Sequence, residues 1–188
     1  DGSSQLIAKT GYSRIGGFEI YLSRPELGSS LWETILEAGR SENIRPGSPN
    51  IIDRVEAGLL SFGNEMTVEN TPLECNMDKF LDINKEPDYI GKKVLQRQIR
   101  YGIKRRIRGV IYKGPKLPTI SRPLQVFDID KRTIVGSLTS GAFSPHFKRN
   151  IGVGMIKYGY WDNNKKILVN IADQEFREGL IKDLPLIQ

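Results

Sequence analysis

Glu19 lies in the middle of a short alternation, Phe18-Glu19-Ile20-Tyr21-Leu22, led by Gly16-Gly17 and followed by Pro25. Alternation at period two is the mark of a half-buried strand, with Phe18, Ile20 and Leu22 on one face and Glu19 and Tyr21 on the other. A carboxylate there has two uses. It can be an ordinary solvated group on the wet face of an antiparallel strand. It can instead accept two parallel N–H bonds from a flat ligand such as an amino-pyrimidinone ring, because a carboxylate lacking donors is costly to bury. Arg54, in IIDRVEAGLL, also has two readings: an ion pair with Asp53, Glu56 or Glu19, or a planar fork that grips a ligand carboxylate. Tyr12, just before the Glu19 strand, is either a stacking ring or core.

Other chemistries lack their residues. The single histidine, His146, falls in the turn-like SPHFKRN, so no nucleophilic triad can form around it. There is neither a Walker loop nor a G-x-G-x-x-G fingerprint, and Gly152-Val153-Gly154 reads as close packing inside a strand. One cysteine, Cys75, excludes an internal disulfide, fits a reducing, cytoplasmic compartment, and with one histidine makes a zinc site very unfavourable.

The elements that must hold these residues can be placed from pattern. Residues 5–12 and 18–22 read as strands. The chain opens at Asp1, and a sequence that begins in mid-sheet is expected to be one piece of a larger protein. Residues 30–42 read as a helix, with Ser30-Leu31-Trp32-Glu33 as a capping box and Trp32 turned to the core. Asn50 can cap a short helix whose Ile51, Ile52 and Val55 face inward, leaving Arg54 and Glu56 elsewhere on its surface; Gly58 ends it. Residues 61–75 form a polar loop, and such loops inside compact domains are often functional. A helix over 88–101 has Ile90, Val94, Leu95 and Ile99 as its apolar face. From residue 103 onward, apolar runs separated by turn residues suit a small barrel or sandwich.

The chain carries a net charge of +6. Its densest basic run, Lys104-Arg105-Arg106-Ile107-Arg108, reads as an edge strand protected by charge rather than as a nucleic-acid site, which would interleave aromatics. No run of 18 apolar residues is present, so no membrane partner is expected.

Three stretches, TGYSRIGGFEIYL, RVEAGLLSFGNEMTVENTPLEC and GSLTSGAFSPHFKRNIGVGMI, occur in an order and spacing that resemble the tetrahydrofolate-dependent aminomethyltransferase family. The family includes the glycine-cleavage T-protein, and the segment PNIIDRVEAGLLSFGNEM looks most like its dimethylsulfoniopropionate demethylase branch. The glycine-cleavage branch has A-R-D-x-x-R-x-E-A-G-L at this point. Asn50 stands in place of its first arginine, and Arg54 matches the second. Asn76-Met77 depart from the Gly-Leu of the demethylase branch.

The resemblance implies an α+β chain, the C-terminal part of a three-domain aminomethyltransferase-like fold. It would comprise an α/β folate-binding portion at 1–80, a connecting segment with a helix at 81–102, and a small antiparallel β-barrel at 103–188. It also implies tetrahydrofolate as cofactor, with Glu19 on the pterin ring and Arg54 and Tyr12 also in the folate site. The implied reaction moves a methyl group from a small donor, dimethylsulfoniopropionate, to N5 of tetrahydrofolate. The aspartate that the family places near N5 has no match in this chain, so the catalytic residue would belong to a companion N-terminal half. Two further readings are a glycine-cleavage-type aminomethyltransferase and a non-catalytic folate-binding protein of the same fold. Members of the latter kind act in iron–sulfur cluster assembly and carry a K-G-C-[YF]-x-G-Q-E motif, which differs from NTPLECNMDKF here.

Overall fold

Closure of a sheet on itself dominates residues 105–182. A computed structural model describes residues 2, 4–48 and 50–187. Asp1, Ser3, Pro49 and Gln188 lie outside the described residues, so the chain's first residue, the proline before Asn50 and the last residue of the barrel segment are not placed. The chain forms two compact units, residues 1–50 and 51–188.

The first unit pairs β1 (Leu6–Ala8) with β2 (Glu19–Tyr21) in antiparallel register, Ala8 opposite Glu19 and Leu6 opposite Tyr21. Both strands are shorter than the sequence suggests. The chain leaves the ladder through Arg14, Gly16 and Gly17, all at positive φ, a conformation strands do not use. Helix α1 (Gly28–Ala38) follows a single 3-10 turn at Pro25–Leu27. Ser30 is therefore inside the helix and does not cap it. Pro25, with φ already set for a helical turn, starts the winding earlier than the capping box predicts. Trp32 is 51% exposed rather than core. None of the described residues in this unit is buried.

In the second unit, six strands close into a barrel: β3 (Arg105–Tyr112), β4 (Leu124–Phe127), β5 (Ile134–Ser144), β6 (Arg149–Lys157), β7 (Lys166–Ala172) and β8 (Glu175–Lys182). All neighbours are antiparallel, in the order β3-β6-β5-β4-β7-β8. The basic run is thus an edge only in part: β6 pairs with β3 along its whole length, but β8 joins it only from Gly109 to Tyr112, and beside Arg105–Arg108 the Glu74 carbonyl accepts the Ile107 N–H at 2.8 Å.

Alternation along the strands separates two cores. Val110, Tyr112, Leu138, Ile156, Ile167 and Ile181 fill the barrel. Ile107, Ile151 and Val153, on the opposite faces of β3 and β6, join Val55 of α2 (Ile51–Glu56) and Cys75 in a second core on the outer wall. The close-packing reading of the GVG segment holds: a Cβ on Gly154 would stand 1.9 Å from the Ser137 carbonyl oxygen. Gly58, at φ +67°, ends α2 as expected.

Helix α3 (Lys92–Tyr101) starts after Gly91, whose positive φ leaves Ile90 outside it. Of the apolar face expected for this helix only Leu95 is buried. Val94 lines an open cavity with Tyr101 and Tyr158, and Ile99 is exposed.

Burial pushes the Tyr112 hydroxyl up to about 12 from its ordinary value of 10. The folded chain holds that proton after the unfolded chain has lost it. The group's contribution to stability is therefore full below pH 10 and is lost as pH rises through 12. An absorbance titration at alkaline pH should show one tyrosine ionising about two pH units late, and Tyr112→Phe should remove that late step. A late step that persists in the variant contradicts the assignment.

Candidate functional site

Glu19 occupies β2 with its side chain exposed. The Thr10 hydroxyl donates to its Oε2, which fixes the carboxylate from the loop that follows β1. A carboxylate has about four acceptor positions, so one bond from Thr10 leaves capacity for a pair of ligand N–H groups. The neighbouring loop is open: a Cβ on Gly16 or Gly17 would meet nothing within 4 Å. Tyr12, on the same loop, is 46% exposed. The exposed carboxylate thus stands on a short ladder with an uncluttered loop beside it.

In the second unit, Arg54 is buried, contrary to its expected place on the surface of α2. Its Nη1 donates to the Leu59 carbonyl at 2.9 Å and to Glu65 Oε2 at 3.0 Å. Its Nη2 donates to Glu65 Oε1 at 3.3 Å and to Ser140 Oγ at 2.7 Å. The terminal N–H groups are all engaged within the protein. The ion-pair reading thus describes Arg54, with Glu65 as partner in place of Asp53, Glu56 or Glu19. Glu65 also accepts the Ser61 N–H at 2.6 Å, and Ser140 accepts Asn64 Nδ2 at 2.7 Å. Ser140 reaches this cluster because β5 carries a bulge between Leu138 and Ser140.

Glu56 is buried too, not superficial. Its side chain accepts from Ser144 Oγ, and its carbonyl accepts the N–H groups of Leu186 and Ile187 at 2.8 and 3.2 Å. Glu74 accepts the Thr71 N–H and Arg105 Nε, each at 3.0 Å. These carboxylates of α2 and the polar loop bind the loop to the barrel wall. Glu65 and Ser140 were not singled out in the sequence. Their only signals were a glutamate inside a loop and a serine between glycine-rich strand residues.

The remaining candidates are structural. Arg106 pairs with Asp78 at 2.7 Å and Arg108 with Asp183 at 3.0 Å, so the densest basic run is neutralised locally. Burial pushes the Cys75 thiol up, and the Glu74 charge adds to it, so the thiolate is disfavoured. Trp161 packs against the barrel core and meets Tyr158 edge-on at 5.1 Å. His146 meets Phe147 edge-on at 4.8 Å.

Removing one partner of a buried pair leaves the other charge uncompensated. Glu65→Leu should therefore cost about 3–5 kcal/mol in urea denaturation. The double variant Arg54→Met with Glu65→Leu should cost clearly less than the sum of the two singles. Additive losses would show that the two groups are not coupled.

Comparison with known proteins bears on both units. The family model described as GCVT N-terminal domain matches residues 1–85. The model described as glycine cleavage T-protein C-terminal barrel domain matches residues 105–184. The dimethylsulfoniopropionate demethylase DmdA of Ruegeria pomeroyi is 41% identical over 160 residues, which is 85% of this chain and 43% of that protein. An aminomethyltransferase of Caldanaerobacter subterraneus is 37% identical over 182 residues, 96% of this chain and 47% of that protein. The crystal structure of the glycine cleavage system aminomethyltransferase T from Bartonella henselae superposes with a TM-score of 0.80 at 22% identity, over 96% of this chain and 49% of that one. That likeness shows the shared fold. The chain spans about half the length of the curated relatives it matches. With both family models matched in order along it, this chain belongs to the glycine cleavage T-protein, or aminomethyltransferase, family.

Proposed function

We propose that this chain is part of a folate-dependent methyltransferase and supplies its pterin-holding carboxylate and its barrel. The reaction we infer moves a methyl group from dimethylsulfoniopropionate to N5 of tetrahydrofolate. The observation that carries this reading is the exposed, Thr10-anchored carboxylate of Glu19, in a chain 41% identical over most of its length to a dimethylsulfoniopropionate demethylase. The functional division we propose is 1–80, 81–102 and 103–188, a division by role and not by packing.

When bound, tetrahydrofolate would supply N5 as the methyl acceptor; the electrons of the breaking carbon–sulfur bond would stay on sulfur as a neutral thioether, and the proton that N5 gives up would pass to water or to the family's aspartate. Acid catalysis is then scarcely needed, and positioning carries most of the rate. Glu19 orients the ring by accepting two N–H bonds, and Tyr12 stacks beside it. Arg54 acts at one remove, holding the 59–65 loop through Leu59 and Glu65. The family's aspartate belongs to a companion N-terminal portion that this chain does not include. Cys75, buried and free, suits a cytoplasmic enzyme, and its suppressed thiolate disfavours the reactive-cysteine reading.

A glycine-cleavage-type reaction is the second reading. It is favoured by aminomethyltransferases that match 96% or more of the chain, and disfavoured by Asn50. Assays of the complete protein with each donor separate the two: dimethylsulfoniopropionate should yield the N5-methyl product. Glu19→Ala in the complete protein should weaken tetrahydrofolate binding roughly 100-fold or more in calorimetry, the loss expected for two charge-assisted bonds at ~1.5 kcal/mol each. Unchanged affinity removes Glu19 from the site.

A further inference from the structure

The outer wall of the barrel carries a second concavity, apart from Glu19, Arg54 and their partners. Its volume is about 530 Å³, within the range of small-molecule sites. The neighbours Val110, Tyr112, Ile167 and Ile181 fill the barrel interior, so the alternate residues Ile111, Lys166, Leu168 and Leu180 belong to the outer face. The register sets them in rows. Ile111 lies opposite Leu180, and Leu180 opposite Lys166; Leu168 lies opposite Glu178. Ile129, from the β4–β5 loop, adds a further apolar wall.

Two features of this surface are unlike an ordinary solvated wall. Ile129 is 66% exposed and Leu180 is 36% exposed, so apolar area faces water at the cavity. The rim is cationic: Lys113, Lys131, Arg149 and Lys166 line it with a single carboxylate, Glu178. Glu178 is already held by Lys113 at 2.7 Å. The Lys113 hydrogen bond and charge, then the charge of Lys166, keep the Glu178 carboxyl below its usual range. Among the described residues Lys131, Arg149 and Lys166 make no ion pair in contact, Lys166 acting on Glu178 only through its charge. Lys131 lies over the Phe176 ring at 5.8 Å, and Arg149 Nη1 donates to the Lys148 carbonyl at 3.3 Å.

We propose that this concavity binds a small amphiphilic anion, an aliphatic chain against Ile111, Leu168, Leu180 and Ile129 with its carboxylate or phosphate head at the lysine and arginine rim. Apolar contact with the strands supplies affinity. The excess of rim cations over the single carboxylate selects charge and rejects a neutral chain of equal length. Closure of the barrel fixes the floor, so little ordering is required on binding.

The test is calorimetric titration of the complete protein with decanoate, below its micelle concentration and at low ionic strength. One saturable site is expected. Decanol, which has the chain without the charge, and acetate and inorganic phosphate, which have charge without the chain, should each bind at least tenfold more weakly. Leu180→Asp and Lys166→Glu alter exposed side chains and should weaken decanoate at least fivefold with an unchanged melting temperature. If either shifts melting, Ile129→Asp on the loop replaces it. Vesicles containing phosphatidylglycerol separate a free anion from a lipid surface. Binding to vesicles but not to decanoate overturns the proposal, as do equal binding of decanol, non-saturating uptake, or affinity unaffected by the variants.

Discussion

A guanidinium nearly cut off from water, that of Arg54, sets the terms for the outer layer of the second unit. Burying such a charge costs several kcal/mol unless its donors are met. Here they are met by a carboxylate and a carbonyl from one loop and a hydroxyl from a strand. The 59–65 loop must fold back so that Leu59 and Glu65 face one fork. Strand β5 must bulge so that Ser140 reaches the same point. A loop with almost no regular structure thus takes one conformation, because the alternative is an unpaired ion in an apolar layer. The apolar contacts of Val55 and Cys75 with Ile107 and Ile151 hold that layer against the barrel without choosing the loop's path.

The same logic accounts for the basic run on β3. These arginines lie on the part of β3 that β8 does not reach, and each takes a local acceptor. Arg105 takes Glu74, Arg106 takes Asp78, and Arg108 takes Asp183 and the Trp161 carbonyl at 2.8 Å. Two of those acids come from the polar loop region and one from the segment after β8. The charges that look like a nucleic-acid patch in one dimension fasten the barrel's flanks in three.

Period and punctuation made much of the fold legible. Every apolar run after residue 103 became a barrel strand, because alternation with turn residues between runs depends on nearest neighbours alone. The short helix ending at Gly58 was legible for the same reason. Errors came where the deciding contact is remote. Arg54 and Glu56 look superficial on a helical wheel, yet their partners Ser140 and Ser144 lie more than 80 residues away. The edge-strand reading of β3 fits only Arg105–Arg108, which have β6 but not β8 beside them; from Gly109 onward closure, a property of all six strands together, removes the edge. The capping box at Ser30 failed more locally, to Pro25.

Among the acids, burial and partners separate Glu56, Glu65 and Glu74 from Glu19. Glu56, Glu65 and Glu74 are buried, and each is held by donors from the protein itself. A ligand could reach those oxygens only by displacing bonds that fix the loop, at a cost comparable to what it would gain. Glu19 is placed differently. It is exposed, its backbone is fixed by pairing with Ala8, and among the described residues only the Thr10 hydroxyl bonds its side chain. Its orientation is therefore set before a ligand arrives, while its acceptor capacity is kept. A flat ring that lays two N–H groups on it removes water from the carboxylate and replaces that water with charge-assisted bonds in one step. On the function proposed for Glu19, this chain uses some carboxylates to close its structure and keeps that one open for a ligand.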